Sequence, residues 1–251
     1  MDHLDLVPRF LHEPGVEIGA FKTPIPGIKP VYVDRFGEYA GERTLADYYG
    51  DACDLPFLDS SLNYVASSHV LEHVANPLSA LREWHRVLAP GGIIYMVVPD
   101  RRKTFDHRRE LTAAPHFLDD YRRGTTQSDG THIDDFVFGI DWSQFSPATP
   151  PADEARAREE LANGYRHAVQ HGLEINIHFH VFESQVARDL IELGNREQVW
   201  PGRIEVLEVH EFFPASNPIG FLVVARVHKP FGARLRARFG AKGLRPDARK
   251  L

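Results

Sequence analysis

The chain has 251 residues, of which 43% are hydrophobic and 25% are charged, so it is long enough to form one large domain with a substantial core. No run approaches the roughly 20 apolar residues of a membrane span, and the acidic start MDHLDLVPRFLHEPG lacks the apolar segment of a signal peptide. The single cysteine, Cys53, excludes a disulfide framework and favours a cytoplasmic location.

The net charge of −6 is distributed unevenly along the chain. Residues 229–251 hold eight Lys or Arg and one Asp, so the remainder is strongly acidic, which argues against a nucleic-acid groove. In this tail Phe231, Leu235 and Phe239 recur every four residues among arginines, as in a short basic amphipathic segment. We expect the tail to be solvated or to pack on the acidic body or on a homodimer mate. Contact with an acidic partner or an anionic membrane surface, without stable insertion, is the alternative.

Apolar runs bounded by turn residues predict short strands at residues 16–18, 31–33, 45–49, 62–66 and 93–98. Asn76-Pro77 predicts the start of a helix, with Asn as the cap and Pro at the first helical position, and Pro90-Gly91-Gly92 predicts its end. Further helices are expected at 152–171 and 183–193. Two final strands, at 204–212 and 220–227, are expected to pair antiparallel at one edge. This alternation predicts an α/β fold with a mostly parallel sheet.

Polar residues follow three of these strands, where ligands bind in parallel α/β sheets. Glu17-Ile-Gly19-Ala20 forms a tight turn after the first strand, and Asp34 ends the second. A carboxylate in the position of Asp34 can accept both ribose hydroxyls of a nucleoside cofactor. Asp51 follows the third strand beside an apolar turn, which suits an adenine ring.

These motifs resemble those of class I S-adenosylmethionine-dependent methyltransferases. GDACDLPFLDSSLNYV at residues 50–65, VLEH at 70–73 and RVLAPGG at 86–92 match the spaced motifs of that family in order, and the likeness covers about residues 15–98. The resemblance implies a Rossmann-like sheet with a large lid inserted after the fifth strand, and S-adenosyl-L-methionine as the cofactor. It further implies that Glu17, Gly19 and Ala20 contact the methionine portion, Asp34 the ribose, and Asp51 with Ala52 the adenine, while Ser68 and His69 lie under the sulfonium.

The first loop departs from the family pattern. The family usually has ExGxGxG there, whereas residues 17–24 are EIGAFKTP, with one of the three glycines. Pro24 and Pro26 exclude a regular helix, so the first crossover helix is expected to be short or missing. The rival interpretation is therefore a non-catalytic methyltransferase-like scaffold, although the acidic ribose and adenine positions favour a working site.

Residues 100–181 form the predicted lid of this methyltransferase domain, which is expected to span residues 1–228. The lid is rich in aromatic side chains, carboxylates and histidines, a combination that suits carbohydrate. Most of the aromatics are expected to form the lid's own core. The residues predicted to bind substrate are Trp142, Asp141 and Tyr165.

The sequence VPDRRKTFD at residues 98–106 resembles a motif of bacterial methyltransferase-like proteins linked with surface or storage polysaccharides. General likeness is greatest to the sugar O-methyltransferases of mycobacterial polymethylated polysaccharide biosynthesis. The resemblance implies an O-methyltransferase for a hydroxyl of a mono- or oligosaccharide, such as a mannoside or glucoside. A methyltransferase for a lipid, quinone or amine is the alternative within the same enzyme class.

Two groups of lid residues offer metal ligands and bases. Residues 175–181, INIHFHV, alternate like a strand, which would place His178 and His180 on one face. With His132 and Asp135 they are predicted to bind Mg²⁺, Mn²⁺ or Zn²⁺, which would help a sugar hydroxyl to lose its proton. The alternative is that the two histidines bond to the backbone or close over substrate. The expected catalytic residues are His69, Asp106, His116 and His132.

Overall fold

A computed structural model describes residues 1–39, 41–230 and 243–250. Its nine strands are β1 (Gly15–Ile18), β2 (Val31–Asp34), β3 (Glu38–Tyr39), β4 (Glu42–Arg43), β5 (Tyr48–Tyr49), β6 (Leu62–Ser68), β7 (Leu88–Pro99), β8 (Arg203–Phe213) and β9 (Gly220–His228). β3 and β4 form a small separate hairpin, and the other seven strands form one sheet.

The sheet has the strand order β5-β2-β1-β6-β7-β9-β8. The first five strands in that order are parallel, whereas β9 runs antiparallel to both β7 and β8. This confirms the predicted α/β architecture and its antiparallel edge. The run from Ile93 to Val98 in β7 is 7% exposed or less because the sheet is covered on both faces.

Seven α-helices accompany the sheet within the described residues. They are α1 (His3–Phe10), α2 (Pro77–Val87), α3 (Ala114–Arg123), α4 (Ile133–Gly139), α5 (Trp142–Phe145), α6 (Glu154–Gln170) and α7 (Ser184–Arg196). The predicted cap of α2 is present, since Asn76 Oδ1 accepts from the Ser79 amide at 3.0 Å. None of these helices is long and apolar enough to cross a membrane.

Three element boundaries differ from the sequence-based expectations. The run at 45–49 pairs only through Tyr48–Tyr49, because Leu45 and its neighbours lie in a loop that bonds to Phe21. The helix expected at 183–193 continues through Gly194 to Arg196. Gly194 serves close packing and does not end the helix, because a Cβ there would lie 2.0 Å from Cη2 of Trp200. Residues 175–181 form no strand, so the alternation that suggested one does not correspond to a ladder.

The lid lies between β7 and α7 and contains α3 to α6. It has a hydrophobic core of its own, to which Ile133, Phe136, Val137 and Phe179 contribute, each of them 2% exposed or less. This core explains why the lid's aromatic residues are spaced irregularly in sequence. They pack on each other across helices and loops rather than along one helix face.

The end of the basic tail lies against the body of the protein. Leu244 bridges to Phe57, and Arg245 Nη1 lies 2.9 Å from Asp54 Oδ1. The amphipathic pattern of Phe231, Leu235 and Phe239 falls outside the described residues.

Candidate functional site

A cavity of about 340 Å³ opens at the carboxyl ends of β1, β2 and β6. One wall carries Asp34, Asp51 and Ala52, and another carries Gly19, Ser68 and His69. The lid closes the cavity with a further set of residues: Gln127, Glu174, Ile175 and Asn176. Six of the eight residues predicted for the cofactor therefore line one cavity, because parallel strands bring their carboxyl ends to the same edge of the sheet.

Two carboxylates occupy one end of this cavity. Asp34 Oδ1 accepts the amide of Phe36 at 3.1 Å, and partial burial raises the pKa of Asp34 despite that bond. Asp51 Oδ1 accepts the amide of Cys53 at 2.6 Å. Asp51 Oδ2 lies 3.1 Å from Nε of Arg35, so both of its oxygens already have partners.

Arg35 connects the floor of the cavity to the lid. Its guanidinium pairs with Asp51 on one side and with Glu174 of the lid on the other. The amide of Ile175, next to Glu174, donates to the carbonyl of Gln127 at 2.8 Å, which ties the two lid segments that face the cavity. The lid is thus held to the sheet by an ion-pair chain directly over the predicted nucleoside position.

The first loop, which follows β1, is compact, and the buried side chain of Glu17 holds it in place. Gly19 has φ +66°, and a Cβ there would lie 2.7 Å from Cγ2 of Val70, so glycine is required at this turn. Glu17 and Ala20, which were predicted to contact the methionine portion, do not line the cavity. Glu17 points inward, where its Oε1 accepts the amide of Ile25 at 2.9 Å, and burial raises its pKa to about 7. Glu17 therefore supports the loop instead of facing a ligand.

His69 follows β6 with a backbone φ of +55°, an uncommon conformation for a residue with a side chain. Its amide donates to the carbonyl of Val97 at 2.9 Å, which fixes the turn, and its side chain stays 34% exposed on the cavity wall. Such backbone strain is concentrated at functional sites. Burial and the charge of His178 lower the pKa of His69 to about 4, so the ring is neutral at pH 7.

Glu72, His73 and His178 form a polar group beside the His69 end of the cavity. Glu72 is 1% exposed, and its two carboxylate oxygens have no hydrogen-bond partner among the described residues. Burial raises the pKa of Glu72 to about 8, so it is largely protonated at neutral pH. His73 lines the cavity, its ring packs edge-on against His178 at 4.7 Å, and burial lowers its pKa to about 3.

Asp106 orients His178 and does not face the cavity as a free base. Its Oδ2 lies 2.5 Å from His178 Nδ1, and its Oδ1 accepts from Arg109 Nη1 at 2.7 Å. Burial opposes ionisation of Asp106, but His178 and Arg109 outweigh it and lower the pKa. Arg109 is itself 2% exposed and bonds through two nitrogens to Asp135. Asp106, predicted as a catalytic base, is therefore already paired with His178 and Arg109, and Asp135, predicted as a metal ligand, is paired with Arg109.

The predicted metal set of His132, Asp135, His178 and His180 is not brought together. His178 belongs to the group beside the cavity, whereas His132 and His180 lie in a second group with His116 and Asp120. The absence of a strand at 175–181 explains this, because the two histidines do not share a face. His116 and His132, predicted as bases, do not line the cavity.

The residues predicted to bind substrate belong to the lid's interior. Trp142 is 5% exposed and lies under the guanidinium of Arg158 at 5.0 Å. Asp141 caps α5 by accepting the amide of Ser143 at 3.0 Å and pairs with Arg108. Tyr165 packs near Phe136, with ring centroids 6.5 Å apart. None of the three lines the cavity, so the structure does not bring the residues predicted to bind substrate to the cavity wall.

Sequence reasoning missed four residues that shape the site, namely Arg35, Glu72, Asn176 and His178 in its pairing with Asp106. Arg35 follows Asp34 directly, and its position after a strand was a usable signal. Glu72 lies inside the VLEH motif but gives no sign in sequence of being buried without a partner. The pairing of His178 with Asp106 joins residues 72 positions apart, which only the folded lid brings together.

Parts of the chain are similar in sequence to known proteins. Residues 29–96 match the family model described as a methyltransferase domain. A demethylmenaquinone methyltransferase of Staphylococcus epidermidis is 52% identical over 46 residues, which is 18% of this chain and 19% of that protein. An uncharacterised 37.1 kDa protein in a transposon of Streptomyces fradiae is 35% identical over 96 residues, 35% of this chain and 28% of that protein. The chain thus spans about a fifth to a quarter of the length of these curated relatives.

A solved structure of an S-adenosylmethionine-dependent methyltransferase from Methanosarcina mazei covers 92% of this chain and 100% of its own, with 17% identity and a TM-score of 0.48. The chain has a mixed α/β, Rossmann-like fold, in which β9 is inserted antiparallel between β7 and β8 of a seven-stranded sheet. Residues 29–96 of this fold are the part that matches the methyltransferase domain model.

At one end of the cavity, Asp34 and the turn at Gly19 could hold a nucleoside. Asp34 ends the second strand of the sheet, and the turn at Gly19 lets the backbone approach without a side chain. The methionine end is less usual, because Phe21 lines the cavity where the family commonly has glycine. Residues 19–30 form no helix between β1 and β2, whereas a short or missing helix was expected there.

Proposed function

We propose that the protein is an S-adenosylmethionine-dependent O-methyltransferase whose acceptor is a carbohydrate hydroxyl. One observation carries this proposal. A single cavity presents carboxylates suited to a nucleoside at one end and a group of imidazoles at the other.

The nucleoside end supports cofactor binding. Asp34 is available to the ribose hydroxyls, while Asp51 is fixed by Arg35 and the Cys53 amide beside the expected adenine position. Hydrogen bonds to a charged carboxylate are among the stronger ones in proteins. When bound, S-adenosylmethionine supplies an electrophilic methyl group on a charged sulfur.

The opposite end supports a hydroxylated acceptor. It carries His69 and His73 on the wall, the protonated carboxyl of Glu72 behind them, and Asn176 from the lid. These groups donate and accept hydrogen bonds in several directions, as the hydroxyl rows of a sugar require. The aromatic residues of the lid contribute its core and not a stacking platform, so recognition in this proposal rests on polar groups.

In this proposal the pair of His178 and Asp106 supplies the proton acceptor from behind the cavity wall. His178 does not itself line the cavity, but its ring packs at 4.7 Å against that of His73, which does. Asp106 holds Nδ1 of His178, which leaves Nε2 as the basic nitrogen, as in other Asp–His pairs. A sugar hydroxyl is a poor nucleophile until its proton leaves, so His178 would accept that proton, while bound S-adenosylmethionine would supply the methyl group and leave as S-adenosylhomocysteine. Arg109 keeps Asp106 ionised, and Asp106 in turn stabilises the imidazolium that His178 becomes.

A quinone acceptor is the second candidate, and it is favoured by one observation. The relative from Staphylococcus epidermidis is named a demethylmenaquinone methyltransferase. The buried histidines and Glu72 at the acceptor end weigh against an extended apolar ligand, because such a ligand would leave these polar groups unpaired.

The test is a methyl-transfer assay with labelled S-adenosylmethionine and a panel of acceptors. The panel contains methyl mannosides, methyl glucosides, short mannose oligosaccharides and a water-soluble quinol, and mass spectrometry detects the methylated product. The proposal predicts methylation of a sugar. It also predicts a roughly 10²–10⁴-fold loss of kcat in His178→Gln, the usual cost of removing a general base, and no loss in the control His171→Gln, an exposed histidine of the lid. Methylation of the quinol alone would establish the second candidate, and failure to bind S-adenosylhomocysteine would establish the scaffold.

A further inference from the structure

The lid contains a second group of histidines, separate from the cavity. His116 and Asp120 lie one turn apart on α3, His132 directly precedes α4, and His180 lies in the segment before α7. Asp120, His132 and His180 are 3% exposed or less, whereas the His116 side chain is 44% exposed. None of them belongs to the cavity described above.

The four side chains direct one atom each toward a common point. Asp120 Oδ2 lies 3.1 Å from His180 Nε2, 3.2 Å from His116 Nε2 and 3.4 Å from His132 Nε2. The Nε2 atoms of His116 and His132 are 2.8 Å apart. All four atoms fall within 4.8 Å of one another.

The three separations from Asp120 Oδ2 are close to the edges of a metal-centred tetrahedron. Zinc bonds of about 2.0–2.1 Å to nitrogen place the ligand atoms of a regular tetrahedron about 3.3–3.4 Å apart. Three of the distances involving Asp120 differ from that range by no more than a few tenths of an ångström. The 2.8 Å contact between His116 and His132 is shorter than such an edge and must open, and the half-exposed His116 has room to move. The separations of His180 from these two histidines are within 4.8 Å.

Neighbouring groups hold two of the four ligands in place. Asp120 Oδ1 accepts from Thr125 Oγ1 at 2.9 Å and from Arg123 Nη2 at 3.0 Å, which leaves Oδ2 directed at the histidines. His132 Nδ1 lies 3.0 Å from Thr131 Oγ1, a contact that leaves Nε2 free to bind a metal when Nδ1 donates. Support of this kind fixes the tautomer and orientation of metal-binding histidines.

We propose that His116, Asp120, His132 and His180 form a tetrahedral site for a zinc-class divalent cation. Three imidazole nitrogens and one carboxylate suit zinc, whereas magnesium prefers oxygen ligands in octahedral geometry. Four protein ligands fill the tetrahedron, which is typical of structural sites rather than of catalytic ones with an open position.

Such an ion would tie together three lid segments that are distant in sequence. The segment with His180 also carries His178 and the cavity-lining Asn176, so the ion would fix the lid over the cavity. The proposal of the site itself rests on the convergence of these four ligand atoms and not on the function of the cavity. Only this consequence for the lid rests on the proposed function.

The test measures metal content in tag-free, full-length protein. After removal of metal with a chelator, the wild type is titrated with zinc chloride and, in parallel, with magnesium chloride. The proposal predicts uptake of one zinc per chain, no uptake of magnesium, and a rise in Tm of about 5–10 °C at a hundredfold excess of zinc over its dissociation constant. Hydrogen exchange in residues 114–132 and 176–182 slows when zinc binds.

Variants separate a metal site from a hydrogen-bonded cluster. His116→Gln and His132→Gln lose zinc binding, and the matched control His171→Gln keeps it, because His171 is exposed at the end of α6. If His132→Gln fails to fold, the half-exposed His116→Gln decides the question alone. A wild type that takes up no zinc, or zinc that persists in both ligand variants, would overturn the proposal and leave a hydrogen-bonded cluster.

Discussion

Replacement of Asp34 by alanine tests the nucleoside end of the cavity. Asp34 ends β2 and lines the cavity, and one of its oxygens accepts the Phe36 amide at 3.1 Å. In Asp34→Ala the ribose hydroxyls lose a charged acceptor, which costs about 1.5–3 kcal/mol of binding free energy. At 1.4 kcal/mol per tenfold change, Kd for S-adenosylhomocysteine rises by about 10- to 150-fold.

Isothermal titration calorimetry with S-adenosylhomocysteine measures this change. Asp47→Asn is the matched control. Asp47 accepts the amide of Tyr32, which lies on β2 as Asp34 does, at 3.0 Å, but Asp47 does not line the cavity. The control therefore reports any general disturbance of β2. An unchanged Kd in a folded Asp34→Ala protein, or an equal rise in both variants, would refute the assigned role of Asp34.

Three further predictions concern the loop, the buried carboxyl and the lid. Gly19→Ala should lower both Tm and cofactor affinity, because the left-handed backbone costs about 1–2 kcal/mol and the added Cβ meets Val70 at 2.7 Å; calorimetry and thermal melts that match the wild type would contradict this. Burial raises the pKa of Glu72 from 4.5 to about 8, so the folded protein holds this proton more tightly than the unfolded chain does. The resulting stabilisation is fully present below pH 4.5 and is lost as the pH rises to 8. Urea unfolding at pH 5 and pH 8 should therefore show Glu72→Gln gaining stability over the wild type at the higher pH, and an identical pH slope in both proteins would disprove it. Hydrogen exchange across residues 101–150 should slow when S-adenosylhomocysteine and acceptor are both bound, and a lid with equal exchange in all states would not close over substrate.

The nucleoside half of the site could be predicted because its position depends on local sequence. Apolar runs that end in Asp34 or Asp51 place those carboxylates at strand ends, and parallel pairing then brings the strand ends to one edge. Asn76 and Pro77 likewise specify a helix start through contacts within one turn. Such features need no knowledge of distant partners.

The surroundings of the lid residues could not be predicted because their contacts join residues far apart in sequence. Asp106 is an acidic side chain of the kind that can act as a base, but it is buried and paired with Arg109. Trp142 is an aromatic side chain of the kind that can stack on a sugar ring, but it packs in the lid core beneath the guanidinium of Arg158. Two histidines two residues apart suggested one site, yet the irregular backbone at 175–181 directs His178 and His180 to different groups.

A crystal structure of the protein with S-adenosylhomocysteine tests the central claim most directly. The account predicts the ribose hydroxyls within hydrogen-bond distance of Asp34, the adenine beside Asp51 and Ala52, and the sulfur directed toward His69 on the side of His178. Ligand bound outside this cavity, or a sulfur directed away from the histidines, would contradict the account. In that case the imidazole group and the nucleoside end would not belong to one active site.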